Sequence, residues 1–310
     1  MIRLVLGAIL LATLLPVRGD AQAIGGLAIN AAVFMLFLFY GMRLSRGEVW
    51  QGLGNRRLLV PLVFWIFGAM SLAGWALWQG TSPFVPPMLA IGFLYLGVLP
   101  STVQSAAIYC SLAGGNIASS VVAAALVNIL GVFISVPLYS LLAGSEDAVF
   151  SAQTLLKVLT VLLLPFVLGQ ALQGVTSQWV ARNRKLISWM DRSVIGLGVY
   201  IAFSGAVEQG MWSKFDAGVW AVLLLACAAL LVFAYGGSWL LGGALKLARG
   251  DRIAMLFAGG QKSIAMGAPL AMVMFPPAAA GTLLLPLIIY HLGQMVVAAP
   301  IASRLGRSED

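Results

Sequence analysis

Charge is what this sequence has least of: 9% of its 310 residues are Asp, Glu, Lys or Arg, against about a quarter in a soluble domain. Too few charges are present to cover a water-facing surface, which excludes an ordinary soluble domain. Histidine occurs once, and the two cysteines, Cys110 and Cys227, stand far apart inside apolar runs. Neither a disulfide framework nor a Cys/His metal spacing can be built from them. No acidic residue lies at mid-depth of an apolar run. A Ser-His-Asp triad, a His-rich zinc set and an aspartyl pair are therefore excluded, and the chain is read as no enzyme. The net charge of +8 does not point to nucleic acid as a partner, because the basic residues sit between apolar runs instead of forming one basic face.

What the chain has instead is apolar length. Hydrophobic residues make up 61% of it, and its mean hydropathy is +0.99. A helical span needs roughly 20 apolar residues to cross about 30 Å of hydrocarbon, so a chain of this length holds about ten spans and no sizeable soluble domain. Unpaired backbone is too costly in lipid for open strands, and the runs are too long for barrel strands, so the fold class is an all-α polytopic membrane protein. The spans are placed at 2 to 17, 24 to 45, 57 to 79, 87 to 113, 117 to 143, 150 to 173, 194 to 208, 217 to 243, 253 to 275 and 280 to 303.

With ten spans the loop charges sort cleanly. One side collects Arg3, Arg43, Arg46, Arg56, Arg57, Arg182, Arg184, Lys185, Arg192, Lys246, Arg249, Arg252, Arg304 and Arg307; the other holds Arg18, Lys157 and Lys214. Cytoplasmic loops carry the excess of Lys and Arg, which puts both termini in the cytoplasm of a cell inner membrane. The first span, with Arg3, the apolar run to Val17 and Ala21-Gln22-Ala23, also has the form of a cleavable signal peptide. Kept in place, it gives two sets of five, 1–143 and 150–303, divided by the acidic Gly-Ser-Glu-Asp loop at 144–147. An odd number per half forces the second half to insert upside down, as an inverted repeat.

Equivalent spans then carry equivalent irregularities. The fourth contains Leu-Pro-Ser-Thr-Val-Gln-Ser from Leu99 to Ser105, the ninth Gly-Gly-Gln-Lys-Ser from Gly259 to Ser263. At 1.5 Å per residue, Pro100 lies about 18 Å along its span and Lys262 about 15 Å along its own, both near the midplane. Helix breakers in corresponding spans of two halves mark a transporter's binding site, because unwound backbone leaves carbonyls and amides free to hold ions or substrate. Lys262 is the sharpest signal, since a charge at the bilayer centre costs about 2.5–3.5 kcal/mol and its side chain is too short to reach either interface. It can act as a fixed cation in place of an ion, pair with an anionic substrate, or titrate and so couple transport to protons. Ser101, Thr102, Gln104, Ser105, Gln261 and Ser263 add neutral oxygens and amides suited to hard monovalent cations and carboxylates. His291, about 17 Å into the last span, and Gln294 on the same face are candidates for gating or proton handling.

These stretches resemble the bile acid:sodium symporter family, and more closely its bacterial branch related to solute carrier family 10. The likeness runs through Gly92-Phe93-Leu94-Tyr95-Leu96, Leu99 to Ser105, Ala113-Gly114-Gly115-Asn116, Leu163 to Gly169, Gly260 to Ser263 and Leu285 to His291. It implies two inverted five-helix repeats whose fourth and ninth helices unwind where they cross. It further implies a core of helices three to five and eight to ten that moves against a panel of helices one, two, six and seven. The implied substrate is a small organic anion and the implied driving ion sodium, placed near Gln104, Asn128 and Gln261. The sequence departs from the sodium-coupled bile acid members where they carry a Glu, here Phe257, and where they carry a neutral amide, here Lys262. In the fifth helix a hydroxyl ligand is replaced by Asn128. Sodium, protons or no ion at all remain open as the coupling partner.

Overall fold

A computed structural model describes residues 2–43, 47, 54–144 and 156–307. Among the described residues every regular element is helical. They are α1 (Ile2–Leu14), α2 (Asp20–Arg43), α3 (Arg56–Thr81), α4 (Pro87–Val98), α5 (Val103–Leu112), α6 (Ile117–Ala143), α7 (Leu156–Arg182), α8 (Arg184–Glu208), α9 (Ala217–Ala244), α10 (Arg249–Gly260), α11 (Ile264–Met274) and α12 (Pro277–Arg307). Seven of them, α2, α3, α6 to α9 and α12, are long and apolar enough to cross a bilayer; α4 and α5, bent by 63° at their break, reach that length and apolarity only as a pair. Their outer faces are apolar: Leu141, Val175 and Val232 are 76%, 82% and 74% exposed. A surface of this kind is stable against lipid and not against water, so the chain is an integral membrane protein.

Several boundaries differ from those the hydropathy predicts. The first helix stops at Leu14, which makes it about 20 Å long and short for a full crossing. The seventh expected span begins at 194, yet α8 begins at Arg184 and is joined to α7 through Asn183 alone. Apolar content marks where a helix sits in hydrocarbon, and α8 continues past that zone as a polar end carrying Arg184, Lys185, Asp191 and Arg192. For the same reason α10 starts at Arg249 instead of 253. The Ser-Glu-Asp part of the acidic loop and the expected start of the sixth span at 150 lie outside the described residues.

The helices pack as two compact units. One holds α1, α2, α7 and α8 with residues 265–285 of α11 and α12. Here Gly41 of α2 faces Gly169 of α7 backbone to backbone, and a Cβ on Gly169 would stand 2.9 Å from Gly41 Cα. Small residues let membrane helices approach this closely. Gln170 Nε2 donates to Gly41 O at 2.6 Å across the same crossing. Tyr40 OH donates to Asp191 Oδ1 at 2.5 Å, tying α2 to the polar end of α8. Glu208 ends α8 and lies 3.7 Å from Arg18, whose side chain is 74% exposed, an arrangement of little energetic weight.

The other unit holds α3 to α6, α9, α10 with residues up to Ile264, and α12 from Pro286 onward. Its N-terminal helix ends are knotted by Asp251 of α10. Asp251 Oδ2 accepts from Asn55 Nδ2 at 3.0 Å and Oδ1 from Asn116 Nδ2 at 2.8 Å. Asn55 in turn caps α3 by accepting from Leu58 N at 3.3 Å, and Asn116 opens α6 by accepting from Ser119 N at 3.1 Å. One carboxylate thus orients the capping amides of two other helices. Asp251→Ala is expected to cost about 1–2 kcal/mol, at the low end for bonds to a charged group because the cluster is partly solvated. Thermal unfolding of the purified protein in detergent checks this, with a smaller loss expected for Asn116→Ala.

Candidate functional site

The two helix interruptions meet inside the second unit. Pro100 ends α4: the residue before a proline is driven out of the helical region, and Leu99 accordingly takes φ −74°, ψ 147°. Thr102 is also extended, and the chain re-enters a helix at Val103. In the ninth region α10 stops after Gly259-Gly260, with Gln261 at φ −103°, ψ 147°. The glycines admit bulky neighbours, as Gly259 packs on Trp65 and Ser238 and Gly260 on the Tyr235 ring.

Unwinding strips backbone groups of their helical partners, and buried orphans are costly. Each carbonyl from Gly97 to Ser101 is instead taken by a group from another segment. Lys262 Nζ donates to Gly97 O at 2.7 Å and Leu99 O at 2.6 Å. Ser135 Oγ donates to Val98 O at 2.8 Å, Ser263 N to Pro100 O at 3.0 Å, and Asn128 Nδ2 to Ser101 O at 2.6 Å. The ninth region is served likewise. Trp65 Nε1 donates to Gly259 O at 3.2 Å and Tyr290 OH to Gly260 O at 2.7 Å. Lys262 N donates to Gln294 Oε1 at 2.8 Å, while Lys262 O accepts from Thr102 Oγ1 at 2.9 Å and Gln294 Nε2 at 3.2 Å. Gln294 Nε2 also lies 2.8 Å from His291 Nδ1, which in turn stands 3.4 Å from Lys262 O.

The sequence-predicted residues fall into two groups. Ser101, Thr102, Ser105, Asn128, Gln261, Lys262, Ser263, His291 and Gln294 are all at this meeting of segments; Lys262, Gln261, Ser101 and Gln294 are 0% exposed. Ser105 Oγ donates to Gln261 Oε1. Gln104 is set apart, exposed on α5, and among the described residues no hydrogen bond joins any two of Gln104, Asn128 and Gln261. Phe257 is fully buried, stacked on Tyr109 and edge-on to Tyr235 with ring centroids 5.9 and 6.4 Å apart. Among the described residues no carboxylate lies within ion-pair reach of Lys262.

Four participants were not singled out from the sequence for this role. They are Trp65, Ser71, Ser135 and Tyr290, of which only Tyr290 falls within a stretch the resemblance uses, Leu285 to His291. For Ser135 a signal exists: Ser120, Asn128 and Ser135 recur at intervals of eight and seven on one face of α6, and all three are at least partly buried. Ser71 Oγ reaches Gly97 O at 3.4 Å, yet a lone serine in an apolar helix carries no pattern.

A bundle of apolar helices with two interrupted segments locked together around a buried amine has the architecture of a membrane carrier. Residues 1–307 match the SBF-like CPA transporter family, and the chain belongs to it. It is 36% identical over 309 residues to "Uncharacterized protein PA2026" of Pseudomonas aeruginosa, covering 98% of this chain and 92% of that protein. It is also 36% identical over 304 residues to "Putative symporter YfeH" of Escherichia coli, covering 97% and 91%. "Sodium/bile acid cotransporter 7" of Mus musculus is 23% identical over 275 residues, covering 86% and 79%. The resemblance read from the motifs is therefore shown at the level of the family, and the protein is a membrane transporter.

Proposed function

We propose that this chain is a secondary active transporter that carries a small organic anion across a cell inner membrane by alternating access. The observation that carries the reading is the exchange of hydrogen bonds between the two interruptions, in which Lys262 of one fills the carbonyl end of the other. Broken helices that satisfy each other are two-state elements: the same carbonyls and amides can hold each other or a solute. Ten crossings arranged as two inverted sets of five fit the packing, since the pairs α1 with α8 and α3 with α4 have counterparts five spans on in α7 with α2 and α9 with α10. Helices three to five and eight to ten form the body that moves against helices one, two, six and seven. Both termini face the cytoplasm, on the distribution of Lys and Arg.

The name of the mouse relative speaks of sodium and bile acid, and sodium coupling is the reading it supports for this chain. The second reading, a carrier that uses Lys262 in sodium's place, is favoured by the Lys262 amine already seated on two carbonyls. Uptake into proteoliposomes of a mixed pool of carboxylates and sulfonates, under imposed sodium or proton gradients, tests both. Saturable, gradient-driven accumulation of an anion is expected. Ligand binding with no gradient dependence removes the carrier reading in favour of a non-transporting regulator of the same fold.

A further inference from the structure

We infer that the carbonyl end of α4 is a seat for a monovalent cation, occupied in this protein by the tethered ammonium of Lys262, and that removing the amine opens the seat to a free cation. The last carbonyls of a helix have no intrahelical partner and together carry the negative end of its dipole. Gly97 O belongs to that last turn of α4, and Leu99 O adjoins it in the unwound stretch. Pro100 holds Leu99 extended, so both oxygens are presented to one point, where Nζ lies 2.7 and 2.6 Å away. Oxygen donors alone, with no carboxylate at hand among the described residues, make a low-charge site suited to a single positive charge and not to a divalent ion. Ser101, in the same unwound stretch, is 0% exposed and its Oγ has no hydrogen-bond partner, leaving one further buried oxygen unused.

The alternatives for Lys262 fare less well on the same geometry. An amine that donates to two backbone carbonyls and is 0% exposed is not presented to a substrate. A snorkelling lysine would lie along the helix surface toward water, whereas this one spans from the ninth region to the fourth. In the transport cycle the consequence, which rests on the second reading above, is that this seat never needs to load or release sodium.

The test is thermal unfolding of the full chain in detergent, in sodium chloride, methylammonium chloride or N-methyl-D-glucamine chloride at equal ionic strength. The wild-type midpoint is expected to be the same in all three. For Lys262→Ala the midpoint is expected to fall in N-methyl-D-glucamine and to rise saturably with sodium or methylammonium, by about 3 °C or more when the cation is well above its dissociation constant. Lys262→Gln is one atom shorter, so it keeps most of the stem, stops short of the seat and adds an amide oxygen beside it, and the same sodium-dependent rise is expected. A wild-type midpoint that climbs saturably with sodium overturns the inference, and so does a folded Lys262→Ala or Lys262→Gln indifferent to both cations. If Lys262→Ala does not fold, the wild-type and Lys262→Gln arms decide. No transport is measured, so failure of the carrier reading and failure of the seat are separate results.

Discussion

Gly97→Ala is expected to lower the stability of the purified protein by about 2–3 kcal/mol, although alanine is the better helix former by about 1 kcal/mol. Gly97 lies where α3 and α4 touch backbone to backbone. An added Cβ would stand 2.8 Å from Met70 O and 3.0 Å from Gly74 Cα. Neither neighbour is the end of a flexible side chain, so the two helices must separate. Separation also moves Gly97 O, the acceptor of Lys262 Nζ, so one methyl group disturbs packing and site together. Differential scanning fluorimetry in detergent is the measurement, with a fall in midpoint of roughly 5 °C or more expected. Gly236→Ala is the matched control. It lies inside α9 with nothing within 4 Å of the added Cβ, so the helix propensity acts alone and a gain of about 0.5–1 kcal/mol is expected. Equal responses from the two variants would mean that the α3–α4 contact does not constrain the site.

The same glycine shows how far the sequence carries the argument. Apolar runs locate helices because hydrocarbon demands them, and Leu99-Pro100 and Gly259-Gly260 locate the interruptions because local backbone rules act within a few residues. Lys262 stands out because a charge in an apolar run is costly wherever the run is placed. What the sequence does not reveal is pairing. That Gly74 and Gly97 form one contact, or that Ser135 and Lys262 serve neighbouring carbonyls, depends on which helices lie side by side, and nothing local encodes it. The inference that Gln104 matches Gln261 rests on their like positions beside two breaks. In the fold Gln104 instead turns outward and Gln261 bonds to Ser105, because α5 begins at Val103 and one residue along a helix rotates a side chain by about 100°. Asp191 is missed for a different reason: taken as lying outside the seventh span, it is in fact within α8 and bonded to Tyr40.

Gln294→Leu is expected to cost about 2–3 kcal/mol, since a buried group left without its partner incurs its full desolvation penalty. The leucine keeps the side-chain volume close to that of glutamine, so the loss reports hydrogen bonding and not a cavity. Gln294 does for the ninth region what a preceding and a following helical turn would do: its amide accepts from Lys262 N and donates to Lys262 O, at 2.8 and 3.2 Å. Without it, Lys262 N loses its acceptor inside a fully buried site, while Lys262 O keeps Thr102 Oγ1 at 2.9 Å. Thr102→Val is therefore the informative comparison. It removes one of the two donors to Lys262 O and leaves no buried N–H unpaired, so about 1 kcal/mol or less is expected. Chemical unfolding of both variants in the same detergent separates the effects. A Gln294→Leu loss no larger than that of Thr102→Val would show that the amide is not what closes the break, and that the unwound backbone at Lys262 is held by Lys262 Nζ, Thr102 Oγ1 and the Ser263–Pro100 bond.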